Sequence, residues 1–555
     1  MLAEFESPPE NGLGRCPVSV ARRMPTGLEE LSCQTLRIAF SRASREATPL
    51  GPSTGTRPGF KIGEIRAVGA PITLHSAPEK LQAHGRTFIV RPELRQVTLQ
   101  GQPATIMKEG QRLECPEITL CQPDDTTSPG PTCLATAPGA GRLTLLDPTD
   151  QRQLDIDWKR ELRVEREGGR DRFRLVGDVH VDDPAGRQRL FGEQMTLTFR
   201  PNTIADRSEA AESDSRVLVS ANLETIEIAG RVRAQTEELV IDQAHQVRLS
   251  FYEQIRPGLQ SADSNATVAV APATAEKVGG PAVAAAGLGK SPSRRRDRPP
   301  LHLRAETIQT HLRRADSQFE LERVECRGEV GLSQLGAAEQ SENLSVQANA
   351  MVLHHTPDGD LLQLFGRADQ PARVTVNELS LSGPRIDFDP RDNRVEINGA
   401  GQAEIRVGTN LRGEKLGEPT SVTIRWQGGM EFRANRISFE GDVLAQQESS
   451  QARDRSTDRE QNQVTCQRLD VYLDRTVSLN NWPPKSSERH GTNPDKPKIR
   501  KVVCHPGTQR GIVVPVELSG RLERDGKVQR MQRIRAAELI FDNDAGELIA
   551  QGDDG

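Results

Sequence analysis

Residues 379–405 read LSLSGPRIDFDPRDNRVEINGAGQAEI, and the alternation in this stretch decides the fold. Leu379 and Leu381 stand two apart, as do Ile386 and Phe388, Val395 and Ile397, and Ala403 and Ile405. A period of two puts each pair on one face of a strand. Between the second and third pairs lies Asp389-Pro390-Arg391-Asp392-Asn393, where Pro fixes φ and Asn tolerates a left-handed backbone, so the chain reverses there. The step from Gly383 to Ile386 is odd. An odd step turns a side chain to the opposite face of a flat strand. If both residues are buried, the strand must bulge or turn a corner, and a small residue permits that bend.

Variants of this unit recur. One form is apolar-x-small-x-x-apolar-x-apolar, as in Leu31-Ser32-Cys33-Gln34-Thr35-Leu36-Arg37-Ile38 and Val464-Thr465-Cys466-Gln467-Arg468-Leu469-Asp470-Val471. The other is apolar-x-apolar-x-Gly, often followed by x-apolar, as in Ile226-x-Ile228-x-Gly230-x-Val232 and Val395-x-Ile397-x-Gly399. Motif starts at 346, 381, 432 and 464 differ by 35, 51 and 32 residues, looser than the period of a parallel β-helix. Antiparallel hairpins tolerate such variable loops. The expectation is an all-β chain of repeated antiparallel hairpins, folded over into elongated half-open β-jellyroll troughs with disordered linkers.

Composition fits thin sheets. Apolar residues make up 35%, aromatics 3% and charged residues 27%, too little apolar material for one large globular core. The 73 basic and 78 acidic residues nearly cancel, so no concentrated basic surface points to nucleic acid. No window approaches the roughly 20 apolar residues of a membrane-spanning helix. The expected division is a disordered or incomplete amino terminus (1–27), β blocks at 28–146 and 147–257, a disordered Ala/Pro/Gly/Arg linker (258–300), a β block at 301–446, a charged loop (447–463) and a last block (464–555). Further loops are expected at 48–59, 123–141 and 480–498. Residues 1–25 lack a basic start followed by an apolar core, so no secretory signal is visible. The last block stops where other copies begin another strand, and a truncated chain is expected.

Chemistry-bearing residues read mostly as structure. Of eight cysteines, Cys33, Cys115 and Cys466 fill the small-residue slot and read as packing residues, and no C-x-x-C pair occurs. Cys115, Cys121 and Cys133 lie close enough in sequence for a disulfide in an oxidising compartment. His354-His355 precedes a Thr356-Pro357-Asp358-Gly359 turn with no third ligand nearby. Asp387, Asp389 and Asp392, and likewise Asp542 and Asp544, lack the ligand spacing and closing Glu of a calcium loop and read as turn chemistry. Arg294-Arg295-Arg296 reads as a solvated run, with anionic lipid as the sharper alternative. There is no nucleophile elbow, phosphate loop or metal motif, so the expectation is a non-enzyme without metal or cofactor.

The alternation of L-x-A-x-x-L-x-Φ, a polar Asp/Asn/Gly turn and Φ-x-Φ-x-G-x-V resembles the OstA-like (organic solvent tolerance-like) domain family. That family includes the LptA and LptC bridge proteins of periplasmic lipopolysaccharide transport. Residues 346–353, 432–443 and 534–552 carry the resemblance best. It implies a half-open β-jellyroll whose apolar interior holds acyl chains, in a cell-envelope or periplasmic protein of outer-membrane biogenesis. Implied partners are lipopolysaccharide or another acylated lipid, and other OstA-like components stacked strand edge to strand edge. The trough lining it implies comprises Leu303, Ile308, Met351, Leu353, Leu381, Ile386, Phe388, Val395 and Ile397, then Phe432, Ile437, Phe439, Val443, Leu469, Val471, Leu539 and Phe541. The alternative is an envelope repeat protein that scaffolds partners through sheet edges and carries no lipid. An interior open along its length favours carriage, and one filled by side chains favours scaffolding.

Overall fold

The computed structural model describes residues 2–6, 18–24, 27–42, 60–78, 80–108, 111–121, 132–146, 153–184, 187–200, 223–236, 239–253, 300–315, 318–334, 344–356, 359–376, 379–409, 415–453, 456–479, 497–509, 512–524 and 527–552. Strands account for most of them, and the sequence of elements holds one short helical turn among the described residues, Pro92–Leu94. The chain is all-β and mostly antiparallel, with a parallel register where Leu239–Glu253 meets Leu301–Arg304. It divides into two compact units, Met1–Glu237 with His245–Tyr252, and Glu238–Ala244 with Glu253–Gly555.

In the second unit the strands form two ladders joined by corners. One ladder runs through Thr307–Ala315, Gly359–Phe365, Arg385–Asp389, Arg394–Asn398, Gly429–Arg433, Ile499–His505 and Glu538–Asp542. The other runs through Ala372–Val376, Leu379–Gly383, Gly401–Thr409, Lys415–Trp426, Val516–Arg524 and Lys527–Ala536. Long strands belong to both. Leu344–Thr356 pairs through its first residues with Ala372–Val376 and through its last with Gly359–Phe365. Arg436–Arg453 and Ser456–Leu473 switch ladders in the same way.

The corners fall where the sequence changes phase. Leu379–Gly383 lies in one ladder and Arg385–Asp389 in the other, with only Pro384 between them. Cys33, Cys115 and Cys466 stand at equivalent corners and are buried, as expected of packing residues. The second motif makes corners too. At Gly177-Asp178, Gly230-Arg231, Gly328-Glu329 and Gly441-Asp442 both residues have positive φ, and the cross-strand register is interrupted. Two consecutive left-handed residues form a bulge that redirects the strand. The valines that follow, Val179, Val232, Val330 and Val443, are all buried.

The first unit repeats the plan. Gly141 pairs with Trp158 there as Gly401 pairs with Trp426 in the second unit. Cys33 and Ile72 of one ladder cluster with Leu36 and Ala67 of the other, so the ladders pack face to face.

Several sequence expectations need correction. The charged segment 447–463 is no loop: Arg436–Arg453 and Ser456–Leu473 continue through it, leaving only residues 454–455 undescribed. Its backbone is paired with Val516–Arg524 as well, and Glu448 meets Arg459 across the hairpin, so charge does not prevent strand formation. Within 1–27, Leu2–Glu6 and Val18–Met24 are strands, the former holding Arg37 on Glu4 at 2.5 Å. Thr132–Pro138 is a strand inside the loop expected at 123–141. Residues 432–437 match the corner motif but form a tight hairpin, with Phe432 opposite Ile437 and Ala434 at φ 57°. The expected linker at 258–299 and the loops at 48–59 and 480–496 lie outside the described residues.

A candidate apolar binding face

Cross-strand register turns the alternation into continuous rows. In the first ladder of the second unit, one row runs Ile308, Cys326, Met351, Leu364, Ile386, Ile397, Met430, Phe439, Leu469, Cys504 and Leu539, each opposite the next. This row lies beside the corners, and every member is buried. The adjacent row, one pleat further from the corners, runs Val324, Leu353, Leu362, Phe388, Val395, Phe432, Ile437, Val471, Val502 and Phe541.

The second ladder supplies matching rows. Val346, Val374, Leu381, Ala403 and Ile424 are successive cross-strand partners, and Val376, Leu379, Ile405 and Val422 form the row beyond. Leu303 joins the first of these through Leu332. Val443 lies at a corner opposite Cys466.

Exposure rises away from the corners. Ile386 and Ile397 are 0% exposed; in the adjacent row Leu353, Leu362, Ile437 and Val502 are half-buried, while Val324, Phe388, Val395, Phe432, Val471 and Phe541 are buried. On the second ladder, Trp426 is 1% exposed, Ile424 is buried, Val422 is half-buried, and Leu379 reaches 37%. The predicted lining residues thus separate by depth. Ile308, Met351, Ile386, Ile397, Phe439, Leu469 and Leu539 pack the corner side, whereas Leu353 and Ile437 approach the rim.

Small residues let the ladders close at the corner. A Cβ added to Gly383 would strike Ile397 Cγ2, and one added to Gly192 in the first unit would strike Ile228 Cγ2. Gly401 faces the Trp426 ring and the Ser382 carbonyl in the same way. The Trp426 Nε1–H donates to the Gly399 carbonyl at 3.0 Å, which removes the cost of burying the indole nitrogen.

Turns close the rim. Asp389 accepts backbone hydrogen bonds from Arg391 at 3.1 Å and Asp392 at 3.5 Å, and Asp542 does the same for Asp544 and Ala545 at 3.0 Å. Both are Asx turns, so turn chemistry accounts for these aspartates. The Arg391 guanidinium holds the Asp389 carboxyl below its ordinary value. Asn393, at φ 50°, donates to the Val477 carbonyl at 2.6 Å and accepts from Leu479 N–H at 2.7 Å. At the next hairpin end His355 pairs with Asp360 at 2.6 Å.

The outer face carries a polar cavity that no local sequence pattern singles out. It measures about 780 Å³ and is lined by Arg436, Arg468, Asp470, Tyr472, His505 and Glu440, among others. Asp470 is only 2% exposed and accepts from Arg436 at 2.9 Å, Arg468 at 3.1 Å and His505 Nε2 at 3.1 Å. His505 Nδ1 meets Glu538 at 3.0 Å. Desolvation opposes the Arg436 charge, but the Asp470 carboxylate and Tyr472 together outweigh it and raise the Arg436 pKa. This network ties neighbouring strands together on the face opposite the apolar rows. Among the described residues, no group of three or more His, Cys, Asp or Glu side chains is placed to hold a metal.

Leu362, Leu364, Met430, Trp426 and Val502 belong to the apolar face but escaped the sequence reading. Leu362 and Leu364 alternate correctly, yet the adjacent Leu361 and Phe365 hide the phase. Fold and face together define a class: an all-β protein of cornered double ladders with an aliphatic inner surface. No protein-family model matches the chain, and no curated protein sequence matches it.

Proposed function

We propose that the chain is a non-enzymatic lipid-binding protein of the OstA-like kind, carrying acyl chains of a lipopolysaccharide-like lipid between its ladders as a transport or bridge component of the cell envelope. The observation that carries this reading is the pair of continuous apolar rows, buried beside the corners and half-buried further out at Leu353, Leu362, Ile437 and Val502. An aliphatic wedge recognises hydrocarbon by area rather than by direction, so it suits acyl chains. Each methylene buried contributes about 0.8 kcal/mol. Roughly ten methylenes would match the ~8 kcal/mol of micromolar affinity before the cost of ordering is subtracted. The corner rows are filled by side chains, so the chains lie in the outer part of the wedge, against Leu353, Ile437 and Leu379.

Stacking on other OstA-like components would use strand edges. Among the described residues Glu547–Gln551 pairs antiparallel with Glu538–Asp542, with Leu548 and Ile549 exposed. Native mass spectrometry after gentle purification tests lipid carriage. Co-purified acylated lipid released by Ile437→Asp supports it. A lipid-free chain that also fails to bind added lipopolysaccharide supports the scaffolding alternative.

A further inference from the structure

We infer that Cys121 and Cys133 form an intramolecular disulfide, linking strands Gln111–Cys121 and Thr132–Pro138 when a low-molecular-weight disulfide oxidant reaches them. The argument begins with register. Thr119 pairs with Thr136 and Leu120 with Ala135. In an uninterrupted strand Cys133 would share a face with Ala135 and Leu120, and Cys121 would point the other way. On its far side, however, Thr132–Pro138 pairs Ala135 with Val164 and Cys133 with Glu165, so Leu134 is an extra residue. That bulge turns Cys133 onto the face of Cys121.

The Cys133 thiol is directed to the Ala135 carbonyl at 3.9 Å, and desolvation together with the neighbouring Cys121 raises Cys133 above its ordinary value. Both are partly exposed, whereas Cys33, Cys115, Cys326, Cys466 and Cys504 are buried. Cys115 is directed instead to the Glu117 carbonyl at 3.0 Å. Cys466 and Cys504 are neighbours too, but burial shields them from an oxidant. Exposure therefore selects the Cys121–Cys133 pair.

The reaction balances by thiol–disulfide exchange. One cysteine thiolate attacks the oxidant RSSR, forms a mixed disulfide and releases one RSH after proton transfer. The second cysteine then attacks its partner's sulfur and releases the second RSH, so the protein dithiol is oxidised as RSSR is reduced.

The test treats the full-length native protein with oxidised glutathione, then denatures it, alkylates it and cleaves it before Asp124. The expected result is that the fragments carrying Cys121 and Cys133 stay joined until reduced, while Cys326 and Cys504 are fully alkylated. In Cys121→Ser, Cys133 should stop at the mixed glutathione disulfide. Separate alkylation or glutathionylation of both cysteines in the wild-type chain would overturn the inference, as would a Cys115–Cys133 bond.

Discussion

Trp426 and Phe439 belong to different ladders, and their rings meet with centroids 5.1 Å apart and planes inclined at 47°. Trp426 pairs along its own ladder with Gly401, and Phe439 pairs along the other with Met430 and Leu469. The contact locks the corner where the aliphatic rows converge. Trp426→Ala should cost about 3–5 kcal/mol, because the cavity lies at the most closely packed part of the wedge. Trp426→Phe should cost less but lose the hydrogen bond to Gly399, worth about 1 kcal/mol. Chemical denaturation of the variants measures both: equal costs would contradict the packing role of the ring, and no cost for Trp426→Phe would contradict the role of the indole N–H.

A second prediction concerns the glycine beneath that ring. Gly401→Ala brings a Cβ against the Trp426 ring and within 2.6 Å of the Ser382 carbonyl. Overpacking of this kind costs about 1–3 kcal/mol. Gly141→Ala meets Trp158 and the Glu114 carbonyl in the equivalent place and should behave alike. A thermal-shift comparison checks the pair, with Gly168→Ala as a control because nothing lies within 4 Å of its added Cβ, although its φ of +57° retains a backbone penalty. The control should therefore lose less stability than either corner variant.

The double left-handed corners invite a paired test. Gly441 has φ +79°, and a Cβ there would fall 2.6 Å from Gly428 N, so Gly441→Ala should cost at least about 1–2 kcal/mol. Asp442 already carries a side chain at φ 46°. Asp442→Gly relieves that strain while adding entropy to the unfolded chain, and the effects should nearly cancel, within about 0.5 kcal/mol. Equal destabilisation by the two substitutions, measured by urea unfolding, would contradict the corner assignment.

Asp389 predicts a pH dependence. Its folded pKa is lowered, chiefly by the hydrogen bond from Arg391. The stabilisation is therefore present above the unfolded value of about 3.9 and is lost as pH falls through the lower folded value. Solvent screens this surface pair, so its contribution is on the order of 0.5 kcal/mol. Asp389→Asn can retain the Asx turn but not the charge. Unfolding curves between about pH 2 and pH 6 should show a shallower acid loss for the variant than for wild type.

Alternation and the odd step at Gly383 made the strand class and one kind of corner legible, because both depend on local phase. The G-x-V corner was harder to see. The motif showed a glycine followed by a buried valine, but the left-handed charged residue between them emerges only from backbone geometry. Residues 447–463 misled because their charges conceal backbone pairing with distant partners, and the match at residues 432–437 misled because a hairpin can use the same spacing as a corner. The apolar face was visible residue by residue. Its continuity and depth were not, because they require cross-strand register. The Asp470 cavity joins residues 436, 468, 505 and 538, whose adjacency no local pattern encodes.

Acyl-chain carriage is tested most directly by photo-crosslinking with a photoreactive amino acid placed at rim or outer positions of the purified chain, in the presence of lipopolysaccharide. Leu379 lies on the inner face at the rim and is 37% exposed, while its neighbour Ser380 lies on the opposite face. Crosslinks to lipid are expected from Leu379 and Ile437 and not from Ser380, and Phe388→Asp should abolish them in a chain that remains folded. Crosslinking of equal strength from Ser380, or unchanged crosslinking in folded Phe388→Asp, would contradict lipid carriage between the ladders.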